Sequence, residues 1–185
     1  MQSDLNWFVG IVAYNNERAC QEKLERLLAH DDVEFSTYVP VQREMHEWPS
    51  TGKRVWVDRI ICPSMLFIRC TDAVRYTIAC KAHFIHHFMM DRARKTARGT
   101  NDFARIPHKQ MADFMRMVGD ASTPVSLDPK LLFPGSKVRV KSGRFEGIEG
   151  ILDKAPDGSS TLAIRVDFLG YAKMDFPLEL LELVK

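Results

Sequence analysis

Apolar runs and amphipathic stretches alternate along the first two thirds of the chain. Residues 7–13 (WFVGIVA) are apolar, β-branched and aromatic, and this composition predicts a buried strand. A helix with one apolar face is predicted next, because apolar residues then recur at helical spacing. Its apolar positions are Cys20, Leu24, Leu27 and Leu28. Further strands are predicted at residues 35–41, 54–61, 65–68 and 84–90.

Two more helices follow from capping residues and spacing. Thr71 and Asp72 are suited to begin a short helix that extends to about Cys80. A second apolar stripe follows Pro107 and predicts a helix that ends at Gly119. Its members are Met111, Phe114, Met115 and Val118. The polar residues 42–53 are predicted as a loop or hairpin tip, and residues 91–105 as a loop. The order β-α-β-β-β-α-β-α predicts an α+β fold, with helices packed on a mostly antiparallel sheet.

The last third of the chain has a different pattern. Residues 120–134 contain three prolines and little periodicity, which predicts a linker. Beyond them, charged and apolar residues alternate in about five short segments, and Asp157-Gly158 is a hairpin-turn dipeptide. This pattern predicts a small closed β-barrel, since closure removes exposed sheet edges. The predicted division is a first domain at 1–119, a linker at 120–132 and a barrel at 133–185.

Composition and charge exclude several classes of protein. The chain has 185 residues, of which 45% are hydrophobic and 27% charged, as in an ordinary globular protein. Its net charge of +2 excludes a bulk polycation, so any contact with nucleic acid must come from a local patch. The densest group of cations is Arg92, Arg94, Lys95 and Arg98. This basic cluster suits contact with phosphates, and the alternative is a solvated loop.

Residue types that carry catalysis or bind metals do not form recognisable motifs. The four cysteines lack C-x-x-C spacing, and His86 and His87 are expected on opposite sides of a strand. We therefore expect no enzymatic activity, no metal and no cofactor. No basic and apolar leader opens the sequence, and no apolar run is long enough to span a membrane. Reduced thiols in a cytoplasmic protein without membrane contact are the expected state.

One local pattern is more specific than the others. In residues 134–150 (PGSKVRVKSGRFEGIEG), Val138 and Val140 are expected to point into a core. Gly143 and Gly147 permit tight turns, and Phe145 is expected to cap the end of the barrel. A generic hairpin is the alternative, while a phosphate loop is excluded because no Gly-Lys-Ser/Thr and no helix follow. The segment resembles the KOW motif of the NusG family of transcription elongation factors. The matching positions are Val138, Val140, Gly143, Phe145, Gly147 and Gly150.

The first domain also resembles the amino-terminal domain of this family. Trp7-Phe8-Val9 is similar to its opening aromatic strand, and the segment 62–68 (CPSMLFI) to a later Phe-Pro-containing strand. Residues 106–118 look like its last helix, so the resemblance spans residues 6–184. Residues 88–98 and 106–111 are similar to the UpxY subgroup, paralogues that act on capsular polysaccharide operons.

The resemblance implies partners and sites. NusG-like amino-terminal domains bind the clamp helices of RNA polymerase through an apolar depression, and the matching positions are Ile11, Met65 and Phe67. These three residues could equally be ordinary core. For the basic cluster, the resemblance implies contact with the non-template DNA strand. In this family the barrel carries a second partner site, which binds the ribosome. The matching positions here are Phe168, Leu169 and Tyr171. Tyr171 stands where the family has Arg, which argues against the termination factor Rho.

These observations lead to one expected function and one alternative. We expect a monomeric transcription elongation and antitermination factor that binds RNA polymerase. Its expected role resembles that of RfaH and promotes processive transcription of long operons, with capsular polysaccharide operons as the expected targets. The alternative is a KOW-type protein that binds RNA or the ribosome. The weak helical periodicity of residues 130–185 predicts a stable β-domain without a helical alternative fold.

Overall fold

The computed structural model of this chain describes residues 5–129, 131, 135–154 and 160–184. Its elements in chain order are β1 (Asn6–Val12), α1 (Glu17–Leu28), β2 (Ser36–Tyr38), β3 (Val41–Glu47), β4 (Arg54–Ile60), β5 (Met65–Cys70), α2 (Asp72–Lys81), β6 (Ile85–Phe88), β7 (Met90–Lys95), β8 (Asn101–Phe103), α3 (His108–Asp120), β9 (Ser126–Asp128), β10 (Lys137–Val140), β11 (Glu149–Lys154), β12 (Ser160–Val166), β13 (Gly170–Asp175) and β14 (Leu181–Leu183). Helices and antiparallel sheets confirm the predicted α+β class.

The described residues form two compact units. The first consists of the chain up to Val39 together with Cys62–His108, and the second of Pro40–Ile61 together with the chain from Lys109 onward. This division differs from the predicted one, because the β3–β4 hairpin and most of α3 belong to the second unit. The reason is that Gln42 on β3, and Gln110 and Arg116 on α3, form hydrogen bonds with later parts of the chain.

A four-stranded antiparallel sheet of order β2-β5-β1-β6 is the centre of the first unit. Phe8 lies opposite Ile68 in the register of β1 and β5, and Gly10 lies opposite Leu66. This face carries both helices of the unit, and the opposite face contributes further core residues, among them Val9 and Phe67. Gln21 of α1 donates to Thr37 at 3.1 Å, and Arg75 of α2 lies over the Phe8 ring. A side chain at Gly10 would meet Ile68 and Ile85, so glycine allows the strands and side chains to pack closely there.

The segment 91–105 was predicted as a loop, and this prediction is wrong. Strands β7 and β8 form an antiparallel hairpin, in which Met90 pairs with Phe103 and Lys95 with Asn101. The register shifts between Asp91 and Lys95, so the intervening residues form an irregular bulge. Periodicity did not reveal these strands, because charged residues dominate them and their pairing lies in a short hairpin.

The second unit contains another hairpin, whose second strand, β4, is at the predicted place and whose first strand, β3, lies in the segment predicted as a loop or hairpin tip. Strand β3 begins at Val41 and pairs with β4 over its whole length, up to Glu47 opposite Arg54. Cross-strand ion pairs join Arg54 to Glu47 at 2.7 Å and Arg59 to Glu44 at 2.9 Å. These polar pairs explain why β3 has no apolar alternation. Helix α3 extends to Asp120, one residue beyond the predicted end at Gly119.

A six-stranded antiparallel sheet of order β14-β10-β11-β12-β13-β9 completes the second unit. Strand β9 lies within the segment predicted as a linker and pairs with β13, so Leu127 faces Ala172. The predicted closure into a barrel is absent from the pairing of the described strands, since β14 and β9 are free edges. We therefore call this assembly the carboxy-terminal sheet. The predicted Asp157-Gly158 turn lies outside the described residues.

Candidate functional site

The three residues matched to the polymerase site share one face of the first sheet. Ile11 lies directly opposite Met65, and Phe67 follows two positions along β5. They point away from the Phe8 face, which carries α1 and α2. Ile11 and Met65 are half-buried, whereas Phe67 has 0% exposed surface and packs beside Tyr38, with ring centroids 6.2 Å apart. A partner can therefore reach Ile11 and Met65 in this conformation, but not Phe67.

A histidine lies on the same face of the sheet beside Ile11, and the sequence did not reveal this position. His87 on β6 lies opposite Ile11, on the other side from Met65. The register of β1 and β6 shifts between Ile11 and Val12, which produces a bulge at His86. The two histidines were expected on opposite sides of a regular strand, but both are exposed beside this bulge.

The turn before Met65 is held by a buried carboxylate. Glu17 opens α1, has 0% exposed surface and accepts a hydrogen bond from the backbone N–H of Ser64 at 2.6 Å. The same oxygen, Oε1, accepts from the N–H of Asn15 at 3.3 Å. Burial raises the pKa of the neighbouring Cys62 thiol to about 12, so it stays protonated at neutral pH. Sequence reasoning missed Glu17 as part of the site, and the available signal was an acidic residue in the first turn of a predicted helix.

The basic cluster lies on the β7–β8 hairpin. Arg92 and Arg94 lie in its bulge, Arg98 lies in its turn, and all three are exposed. Within the described part of the chain, none of these arginines has an ion-pair partner. Lys95 differs, because its ammonium donates to the side-chain oxygen of Asn101 across the hairpin. The three exposed guanidinium groups are therefore accessible to phosphates. The charge of Arg94 also contributes to lowering the pKa of Asp102.

Contacts with α2 hold the base of this hairpin. Arg75 is buried, and its guanidinium carbon lies 3.5 Å from the centroid of the Phe103 ring. Arg105 pairs with Asp102 at 2.7 Å and with Asp72 at 3.0 Å. The hydrogen bond from Arg105 lowers the pKa of Asp102 below its usual value. The hairpin thus extends from a rigid base, and sequence reasoning did not assign a role to Arg75.

The described part of the segment that resembles the KOW motif has the local geometry expected from its residues. Val138 and Val140 are buried, while Gly143 and Gly147 have φ angles of 90° and 82°. A Cβ at Gly150 would lie 2.6 Å from the Ala163 carbonyl oxygen, so only glycine fits there. Phe145 packs edge-to-face against Phe176, with ring centroids 5.9 Å apart. The predicted core and turn roles of the valines and of Gly143 and Gly147 are confirmed.

The β12–β13 turn presents the residues matched to a second partner site. Phe168 is 44% exposed and has a φ of 70°, which is disfavoured for a residue with a bulky side chain. Leu169 is buried, and Tyr171 is half-buried at the start of β13. A cavity of about 410 Å³ adjoins the turn and is lined by Phe168, Tyr171 and Arg165, among others. The turn therefore presents Phe168, with Leu169 as its internal support.

Over the described ranges, no group of three or more His, Cys, Asp or Glu side chains is arranged to hold a metal ion. In the part of the chain that the structure describes, no helix has the length and apolar character needed to cross a membrane.

Comparison with known proteins gives a structural match but no sequence match. No family model matches the chain, and no curated protein matches it. The structure of Thermotoga maritima NusG, described as showing domain interaction, matches with a TM-score of 0.55 and 12% identity, over 98% of both chains. Conformations A and B of the MjSpt4:Spt5 complex match with lower TM-scores, 0.34 and 0.32, at 10% and 8% identity. Both matches cover 96% of this chain, and they cover 97% of the matched chain in conformation A and 96% in conformation B. From end to end, this chain therefore has the fold of NusG.

Proposed function

We propose that this protein is a transcription elongation and antitermination factor that binds RNA polymerase. The observation that carries the proposal is the NusG fold over 98% of the chain. The KOW segment and the accessible Ile11–Met65 pair support it, because both fall where the resemblance places functional residues.

Ile11 and Met65 are the proposed contacts with the polymerase clamp helices. The two side chains lie side by side across adjacent strands and are half-buried, so a helix tip can cover the remaining apolar surface. Phe67 supports them from a buried position on the same face. Loss of a central apolar anchor typically weakens an interface by tenfold or more, which corresponds to about 1.4 kcal/mol.

The basic cluster is the proposed contact with the non-template DNA strand. Arg92, Arg94 and Arg98 are exposed, have no ion-pair partner in the described residues and project from an anchored hairpin. Lys95 adds positive charge while it is bonded to Asn101. Phosphate contacts of this kind hold a protein on the nucleic acid without reading its sequence.

The proposed biological role is processive transcription of long operons in the cytoplasm. The resemblance of residues 88–98 and 106–111 to UpxY paralogues supports capsular polysaccharide operons as the targets. We expect the protein to act as a monomer. The exposed Phe168, with Leu169 and Tyr171, is the proposed ribosome contact of the carboxy-terminal sheet.

Transcription by purified RNA polymerase past a terminator, with and without the protein, tests the proposal. We expect more read-through with the protein, and Met65→Glu should abolish the effect by placing a charge in the interface. Leu27→Glu is the matched control, because Leu27 is an exposed apolar residue on α1. Equal read-through in the presence and in the absence of the wild-type protein would contradict the proposed function.

Crosslinking to the non-template strand tests the DNA contact. Replacing Arg92, Arg94 and Arg98 by alanine should reduce crosslinking. It should also make the slope of log binding constant against log salt concentration shallower by about 2, since three phosphate contacts are lost. A variant with Arg18, Lys23 and Arg26 of α1 replaced by alanine carries the same charge change and is the control. Equal loss in both variants would mean that overall charge, and not the hairpin, is responsible.

A second candidate function is supported by the β12–β13 turn. Phe168 is exposed in a disfavoured backbone conformation beside a cavity, which suits a KOW-type protein that binds RNA or the ribosome. Co-sedimentation with ribosomes that is lost in Phe168→Ala supports this candidate. If polymerase does not co-purify with the protein while ribosomal RNA does, the second candidate replaces the first.

A further inference from the structure

One carboxylate oxygen joins two turns at the same end of the first sheet. Asn15 and Ser64 have φ angles of 61° and 64°, in the left-handed region. Oε1 of Glu17 accepts the backbone N–H of both residues, at 3.3 Å and 2.6 Å. Left-handed backbone is disfavoured for residues with a Cβ, and more so for serine than for asparagine. The short bond to Ser64 therefore offsets a conformation that this turn would otherwise avoid.

Both turns border the accessible Ile11–Met65 pair. Ser64 directly precedes Met65, and its carbonyl accepts the N–H of Val12, the last residue of β1, at 2.9 Å. The other turn carries Tyr14, which is 66% exposed. The positions of Met65 and Tyr14 thus depend on two turns that share one hydrogen-bond acceptor.

The burial of Glu17 points to this geometric role. Its second oxygen, Oε2, is buried without a hydrogen-bond partner among the described residues. No ion pair to Glu17 is present there either, although its charge lies in the first turn of α1, where the helix dipole favours an anion. The carboxylate is therefore held by the N–H groups of the two turns at the helix start, which is the arrangement that a positioning role requires.

We propose that Glu17 is the positioning residue of the polymerase-docking surface, and that Tyr14 is a further exposed contact of that surface. This proposal rests on the proposed function. Glu17 holds Ser64 in the left-handed conformation, which sets Met65 opposite Ile11 and keeps the Tyr14 turn beside it. It does not touch the partner itself.

Four variants of the full chain test the positioning role by their affinity for RNA polymerase. Glu17→Ala should weaken binding by about tenfold or more, because the Ser64 turn relaxes away from the left-handed region. Adding Ser64→Gly to Glu17→Ala should restore most of the affinity, since glycine adopts this conformation without penalty. Ser64→Gly alone should bind as the wild type does. Tyr14→Ala should bind more weakly and unfold at the same temperature as the wild type.

Leu24→Ala separates positioning from general destabilisation. Leu24 is a fully buried residue of α1, and its truncation should lower the melting temperature without lowering affinity at temperatures where the protein is folded. If Leu24→Ala loses as much affinity as Glu17→Ala, or if Ser64→Gly fails to rescue, the positioning role is wrong.

Amide NMR signals distinguish failure of this proposal from failure of the proposed function. The Ser64 N–H should resonate downfield in the wild type, because it donates a short bond to a carboxylate, and should shift upfield in Glu17→Ala. An unaltered Ser64 signal in Glu17→Ala overturns the positioning role. A wild-type protein that shows these signals but does not bind polymerase overturns the proposed function instead.

Discussion

The guanidinium carbon of Arg75 lies 3.5 Å from the centroid of the Phe103 ring. Arg75 is buried on α2, and Phe103 ends the second strand of the basic hairpin. The rings of Phe8 and Phe88 lie near the same guanidinium, at 5.6 Å and 5.7 Å. The contact therefore connects the hairpin to the core of the first unit.

Replacing Arg75 by methionine should loosen the hairpin. The variant retains apolar volume but loses a desolvated cation–π contact, which contributes about 2 kcal/mol to the free energy of unfolding. It also loses the ion pair between Arg75 and Asp72, at 3.3 Å. Hydrogen exchange of the β7–β8 amides and urea denaturation measure the two effects. Arg26→Met is the control, since the exposed Arg26–Glu22 pair contributes only about 0.3–0.5 kcal/mol. Similar losses in both variants would contradict the role of Arg75.

A buried lysine joins three strands of the carboxy-terminal sheet. Lys173 on β13 contacts Asp128 of β9 at 3.1 Å and Asp153 of β11 at 3.2 Å. Lys173→Met should lower the free energy of unfolding by about 3 kcal/mol, because it removes the buried cation that pairs with Asp153 and Asp128. Urea denaturation measures the loss. Asp128 is about half exposed, so Asp128→Asn should cost less.

The same lysine predicts a loss of stability at high pH. Burial lowers the pKa of Lys173, but its hydrogen bonds to Asp128 and Asp153 outweigh burial and leave the pKa above the usual 10.5. Its contribution to stability is therefore complete below pH 10.5 and is lost as the pH rises through the higher folded-state value. Stability measured between pH 9 and 12 should fall more steeply in the wild type than in Lys173→Met. Parallel curves would contradict this prediction.

The four cysteines should differ in their reactivity towards alkylating reagents. Burial raises the pKa of Cys62 and of Cys70 to about 12, and it also raises that of Cys20. Because the thiolate is the reactive form, these three should react slowly at pH 8, while the exposed Cys80 reacts at once. Mass spectrometry after iodoacetamide treatment should find one modified site in the native protein and four after denaturation. Rapid modification of native Cys62 would contradict its burial.

Gln42 should hold the segment before β9 in place. Its buried side chain donates to the Thr123 carbonyl at 2.9 Å and accepts the Val125 N–H at 2.7 Å. Gln42→Ala leaves that N–H buried without a partner, which costs about 1–3 kcal/mol. Exchange of the Val125 amide should therefore accelerate, as measured by hydrogen–deuterium exchange. His46→Ala, on an exposed position of the same strand, should leave it unchanged.

Local sequence patterns predicted the elements that have an apolar period. The opening strand and the three helices are at the expected places, because each depends on residues within a few positions of one another. Two positions of the predicted apolar faces differ: Leu27 of α1 is exposed, and Met117 of α3 is buried where Met115 was predicted. Strands β3, β7 and β8 were not predicted, since their polar residues carry no alternation. Strand β9 lies in the segment predicted as a linker, because it follows Pro124 and gains its structure only from pairing with β13.

The resemblance to the NusG family assigned Ile11 and Met65 to one partner site, on the first and fourth predicted strands, and the sequence indicated the glycine turns of the segment that resembles the KOW motif. Only strand pairing in the structure makes these two strands neighbours. Only the tertiary structure decided that Phe67 is buried, that Phe168 is exposed and that the carboxylate of Glu17 reaches Ser64. The physical reason is distance along the chain. Residues 17 and 64 form one hydrogen bond because strand pairing brings the ends of β1 and β5 together, and no local period records that contact.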